Sequence, residues 1–113
     1  MSEFLYLYRG GANRADRTPA ENEASLKEWV TWLTDLGQKG HIKDPGQPLE
    51  DSGKVVSGKA KTITDGPYAE AKDLIGGYTI VEATDIEQAA QLAGGCPIFQ
   101  IGGAVEIRPV IKM

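Results

Sequence analysis

Within nine residues the chain places Asp65, Glu70, Lys72 and Asp73, with Tyr68 inside the run and Tyr78 just beyond it. A carboxylate in such a loop can act as general base or orient a substrate, and mixed charges can clamp a polar small molecule. Asp65 also precedes Gly66-Pro67. An Asp there readily accepts local backbone N–H groups, so turn capping stands beside the catalytic role. Glu70 and Lys72 read equally well as solvated loop charges. Tyr68 and Tyr78 offer hydroxyls as orienting donors, whereas Tyr6 and Tyr8 read as core.

Glu82, Glu106 and Arg108 fall on strand-like segments, where a charge is costly unless paired. They read either as a polar network in a cleft, with Arg108 holding an anionic substituent, or as a structural ion pair at a subunit interface. Arg9, just past the first strand, can join either. His41 is the only histidine, the residue type used most often as a general acid or base. It stands where a helix gives way to a loop, so contact with the helix's carbonyl end competes with that role. Cys96 packs before Pro97 as a small hydrophobe with no base near it in sequence.

The elements that must position these groups are legible from spacing. Phe4 to Tyr8 is apolar at odd and even positions, as for a central strand covered on both faces. Thr18, Pro19 and Glu21 spell N-cap, N1 and N3 of a capping box. The helix they open carries Leu26, Trp29, Val30, Leu33 and Leu36 as its apolar stripe, leaving Trp32 off it to meet a second surface. Gly37 and Gly40 stop it. From His41 to Lys59 the chain is rich in Pro and Gly and reads as a flap with a brief strand at Val55-Val56. Lys61–Thr64 and Tyr78–Ala83 read as a hairpin. Its second strand turns Thr79, Val81 and Ala83 one way and Tyr78, Ile80 and Glu82 the other. Thr84 caps a second helix with Ile86, Ala89, Ala90 and Ala93 inward, and Gly94-Gly95 ends it. Ala104 to Val110 is a last strand, with Pro109 near an end or edge.

The order strand, helix, strand, strand, helix, strand specifies an α+β, ferredoxin-like βαββαβ fold. Its four-stranded antiparallel sheet has both helices on one face. The other face needs a cover, and a second copy giving a homodimer with a barrel-like centre is the simplest one. At 113 residues the whole chain, 1–113, reads as one domain. A net charge of −4 disfavours direct nucleic-acid binding. No apolar run approaches the roughly 20 residues that span a bilayer, and Met1-Ser-Glu-Phe begins no secretory signal, so we expect a cytoplasmic protein off the membrane. One cysteine and one histidine offer no metal-ligand cluster, and no glycine fingerprint for dinucleotides follows a strand. We expect neither metal nor cofactor.

Asp65-Gly-Pro-Tyr-Ala-Glu-Ala-Lys72, Leu74-Ile-Gly-Gly-Tyr78, Cys96-Pro97 and Gly102-Gly-Ala-Val-Glu-Ile-Arg-Pro-Val110 together resemble the DGPF-domain branch of the YCII-related family, with Tyr68 where that motif has Phe. The resemblance spans nearly the whole chain and implies a dimeric α/β barrel. Relatives include small enzymes using a His–Asp pair, among them a dehydrochlorinase of chlorinated hydroxyquinols, and proteins encoded beside or fused to sigma factors. Asp65 matches the acidic partner of that pair. Ser25 stands where YCII-type relatives carry the helix histidine, and this helix has none. The expected function is binding of a small organic molecule in a cleft near the dimer interface, with cofactor-free lyase or proton-transfer chemistry if it is an enzyme. The alternative is a non-catalytic ligand sensor or a sigma-factor-associated interaction partner.

Overall fold

A computed structural model describes residues 1–11, 16–66 and 73–113. The elements are β1 (Ser2–Gly10), α1 (Pro19–Gln38), β2 (Ile42–Asp44), β3 (Gly53–Ser57), β4 (Thr62–Gly66), β5 (Ile75–Ala83), α2 (Ile86–Ala93) and β6 (Gly103–Pro109), with a 3-10 turn at Pro97–Ile101. The main sheet runs β2-β5-β1-β6, antiparallel throughout, which is the ferredoxin-like order. β1 is central, as its two-sided apolar pattern requires. Phe4, Tyr6 and Tyr8 are buried under the helices, while Leu5 and Leu7 are half-buried on the other face.

The α1 start obeys its sequence signals. Glu21 N–H donates to Thr18 Oγ1 at 3.1 Å, and Thr18 N–H donates to Glu21 Oε1 at 2.9 Å, with Pro19 in the first turn. The buried stripe differs from the expected one. Trp32 is only 9% exposed and Leu36 2%, whereas Leu26 and Val30 stand at 62% and 55%. The helix is rotated so that Trp29 and Trp32 both reach the sheet. Trp32 stacks on Tyr6 with ring centres 6.2 Å apart, and Trp29 meets Tyr8 edge-on at 4.7 Å. Such pairs add about 0.5–1.5 kcal/mol each beyond buried area. At α2 the cap lies one residue later than expected. Asp85 accepts the Gln88 N–H at 2.8 Å, and Thr84 instead bonds the Gln88 side chain.

The largest correction concerns the hairpin. Lys61–Thr64 does not pair with Tyr78–Ala83. β4 pairs with β3, Ser57 opposite Thr62 through Gly53 opposite Gly66, as a separate two-stranded ribbon. The place beside β5 goes to β2 and the segment after it, inside the stretch expected to be a flap. Glu82 N–H donates to the His41 carbonyl at 2.7 Å, and Leu49 N–H to the Gly76 carbonyl at 2.8 Å. Gly46 makes this approach possible. Its φ is +73°, and a Cβ there would sit 1.7 Å from the Tyr78 carbonyl oxygen.

The ribbon stands away from the two-layer body. The radius of gyration is 15.4 Å, against about 13 Å for a compact chain of this length. Val56 and Ile63, directly paired across the ribbon, are 61% and 67% exposed.

Candidate functional site

Two polar regions flank the central strand, one under the helices and one on the open face of the sheet. The first is closed. Tyr8 donates its hydroxyl to Thr79 Oγ1 at 2.6 Å, and Thr79 donates onward to the Pro45 carbonyl at 2.9 Å. Tyr6 donates to the Ala89 carbonyl. Burial pushes the Tyr6 hydroxyl up to about 12, with Cys96 adding to the shift. Burial also pushes the Cys96 thiol up to about 12. Tyr8 moves in the same direction, again chiefly by burial. All three therefore stay protonated at neutral pH. A buried, protonated thiol is no nucleophile, and these hydroxyls serve as structural donors.

The open face carries the rest. Strand alternation places Glu3, Leu5, Leu7 and Arg9 of β1 on it, with Tyr78, Ile80 and Glu82 from β5 and Glu106 and Arg108 from β6. The register sets the rows: Glu82 with Glu3, then Ile80, Leu5 and Arg108, then Tyr78, Leu7 and Glu106, with Arg9 beyond. The Arg9 guanidinium pairs with Glu106, and Arg108 Nη1 lies 3.6 Å from the other Glu106 oxygen. Two guanidiniums share one carboxylate, leaving the cluster one positive charge in excess. Its members keep about a third to two-thirds of their side-chain surface open, so the ion pairs themselves contribute modestly. Arg9, which the sequence left as an optional member, is central.

Of the expected network, Glu106 and Arg108 are brought together and Glu82 is not. Glu82 sits a row beyond Ile80 and directly opposite Glu3, which Lys43 approaches at 3.8 Å. Tyr78 lies on the same face as Arg108, two strands away. Asp65 is on the ribbon, paired with Lys54, with its side chain 89% exposed. Its observed partner is the ribbon's own lysine, across the strand pair from it. His41 turns Nδ1 to the Glu82 carbonyl at 2.8 Å, so that nitrogen carries the proton and the ring clamps β2 to β5. Its backbone N–H also bonds the Leu36 carbonyl at the end of α1. Ser25 is half-buried on α1. Tyr68 and Glu70 lie outside the described residues.

An open groove of about 510 Å³ runs between α1 and the 3-10 turn, lined by Lys27, Glu28, Thr31, Trp32, Asp35, Gly95, Pro97 and Gln100. None of the sequence-derived site residues that lie among the described residues borders it. Among the described residues no cluster of three or more His, Cys, Asp or Glu side chains could hold a metal ion, and no helix is long and apolar enough to cross a membrane.

The profile of the YCII-related domain matches residues 5–113. No curated protein matches the chain. Among solved structures, the chain is similar to a 5-chloro-2-hydroxyhydroquinone dehydrochlorinase from Burkholderia phenoliruptrix in complex with 2,5-dihydroxybenzoquinone. The identity is 18%, the alignment covers 98% of this chain and 95% of that one, and the TM-score is 0.49.

Proposed function

The chain belongs to the YCII-related domain family, and from that premise we propose that it works as a homodimer binding a small organic molecule with an anionic group. The sheet face bearing Leu5, Leu7, Tyr78 and Ile80 has no cover from its own chain's helices. A second copy stacked on it removes those side chains from water at about 25 cal/mol for each Å² of apolar surface. Twisted sheets packed face to face touch along their middle and splay at the corners. The cleft this leaves along β6 is where the ligand sits, with Arg108 holding its anion.

The observation that carries this reading is the Arg9–Glu106–Arg108 cluster, one positive charge in excess beside Leu5 and Leu7 on the uncovered sheet face. Glu106 occupies Arg9 and only one edge of Arg108, so the remaining Arg108 donors are available to a carboxylate or phenolate. Support for binding over His–Asp proton transfer comes from placement. Asp65 pairs with Lys54 on the β3–β4 ribbon, whereas His41 is bonded to β5 of the main sheet, so the two belong to different sheets. Calorimetric titration with benzoate and salicylate tests the site. Saturable binding is expected for the wild type, weakened about tenfold (about 1.4 kcal/mol) in Arg108→Gln. Equal affinity in the variant, or no saturable heat with either anion, refutes it.

A second reading, a protein-interaction partner of the sigma-factor-associated kind, is favoured by one observation. Leu26 and Val30 stand exposed one helical turn apart on α1. Loss of co-purification with a sigma factor in the double variant Leu26→Ser/Val30→Ser would support it, and co-purification unchanged from wild type would remove it.

A further inference from the structure

Two exposed aliphatic pairs remain that neither the fold nor the anion site uses. On the β3–β4 ribbon, Val56 sits directly across from Ile63, and both are exposed. Strand alternation puts Lys54 and Asp65 on that face and turns Val55 and Ser57, each half-buried, to the other. A two-stranded ribbon is marginal in water unless something packs on it. This one keeps its aliphatic face in solvent. The second pair is on α1, where Leu26 and Val30 stand exposed one turn apart, as neighbours on the helix surface.

The two surfaces carry opposite charge. The ribbon holds Lys54, Lys59 and Lys61 against one acid, Asp65, and among the described residues Lys54 alone of the three is ion-paired. Helix α1 holds Glu21, Glu23, Glu28 and Asp35 against one lysine, Lys27. Glu23 lies about one turn before Leu26 on the same side of the helix. Its contact with Lys27, at 3.9 Å between two well-exposed side chains, ties it down little.

We propose that the ribbon docks on α1 of another copy of this chain. Val56 and Ile63 pack against Leu26 and Val30 of the partner subunit, and Lys59 and Lys61 reach the partner's Glu23. The exchange is reciprocal: each copy gives its ribbon and receives the other's about one two-fold axis, so the contact closes. Burial of the aliphatic pairs supplies the attraction, and the charges choose the pairing. Docking α1 on α1 sets Glu23 against Glu23 of the partner subunit, and docking ribbon on ribbon crowds the lysines. Only ribbon on helix joins unlike charge. An anionic lipid surface attracts the same lysines, but it leaves Leu26 and Val30 bare and faces a chain of net charge −4. A second copy satisfies both patches. The contact belongs to the ribbon and the helix layer, so it does not depend on what covers the Arg108 face.

Sedimentation of two double variants tests the contact. Val56→Thr/Ile63→Thr keeps β-branched residues in the ribbon, and Leu26→Gln/Val30→Gln keeps good helix formers in α1, so each element is retained. Each variant is expected to fall to half the wild-type mass, with dissociation about tenfold easier. A one-to-one mixture of the two should recover part of the assembly, because one of its two contacts joins an intact ribbon to an intact helix. Carbodiimide coupling gives a second readout on the unmodified chain. With heavy-isotope-labelled and unlabelled copies mixed, Lys59 or Lys61 should couple to Glu23 in products carrying one label from each copy. A monomeric wild type, variants that assemble as wild type does, or couplings confined to single chains overturn the proposal. So does binding to phosphatidylglycerol vesicles that Val56→Thr/Ile63→Thr abolishes without changing the mass, which assigns the ribbon to a membrane surface instead.

Discussion

Raising the pH should unfold this protein by a route that begins at Cys96. The thiol lies beneath the helices, 4% exposed, and burial holds its pKa at about 12 against an ordinary 9.0. A raised acid keeps its proton in the folded state after the unfolded chain has lost it. Its stabilisation is therefore intact below pH 9 and drains away as pH climbs towards 12. At pH 10, one unit above the ordinary value, the loss from Cys96 alone is about 1.4 kcal/mol. Tyr6, held at about 12 against 10.0, and Tyr8, raised further, join only as pH passes 10. Urea unfolding followed by the fluorescence of Trp29 and Trp32, under reducing conditions, should show stability falling between pH 8 and 10. In Cys96→Ala the starting stability is lower because of the vacated volume, yet the fall over that interval should shrink by about 1.4 kcal/mol. Comparing the two slopes cancels the lysines, which titrate alike in both proteins. Identical slopes would refute a buried thiol and reopen Cys96 as an accessible, reactive group.

Other expectations follow from single contacts. Thr18→Ala removes one half of the reciprocal cap on α1 and should cost about 1 kcal/mol in urea unfolding, with Thr18→Asn restoring most of it. Gly46→Ala should be far more damaging than Gly40→Ala. Both residues have positive φ, but an added Cβ meets the Tyr78 carbonyl oxygen at the first and nothing within 4 Å at the second. The Gly40 variant should lose about 1 kcal/mol of thermal stability, and the Gly46 variant should in addition free the amide of Leu49 to exchange. His41→Ala should lower stability by about 1 kcal/mol while leaving benzoate affinity unchanged, because its ring holds β2 to β5 on the side of the sheet away from β6. A fall in affinity without a fall in stability would return His41 to the binding site.

The sequence made local capping and alternation readable and left partner choice obscure. Thr18, Pro19 and Glu21 specify a helix start through contacts three residues apart, so no tertiary information is needed. The alternation of β5 likewise follows from strand geometry alone. Thr62–Gly66, by contrast, is strand-like whichever neighbour it takes. The nearby Gly53–Ser57 won it across a four-residue turn, where Lys61 adopts φ +56°. β2 was missed because three residues with a register break carry no periodicity. The α1 stripe was misread because Leu26 and Val30 share helical spacing with Leu33. What decided the rotation was the width of the aromatic surface on Tyr6 and Tyr8, a property of a distant strand. At the site, residue faces were legible but distances were not. Glu82 and Arg108 share a face, yet β1 stands between their strands. Asp65 followed its strand into the ribbon.

The position of β1 in the sheet also has a consequence for how the chain is made. Both its neighbours come from the last third of the sequence: Leu5 pairs with Ile80 on one side and with Arg108 on the other. The ribbon and α1 can form while the chain is still emerging, since their contacts are local. β1 cannot acquire either partner until most of the chain has left the ribosome, and it gains the second only when β6 appears. Until then an aromatic, two-sided apolar strand waits with both edges bare, which is a template for pairing with other chains. A chain stalled before residue 103 would carry β1 with one edge permanently open, and such fragments should be held by chaperones or aggregate, while the full-length protein does neither.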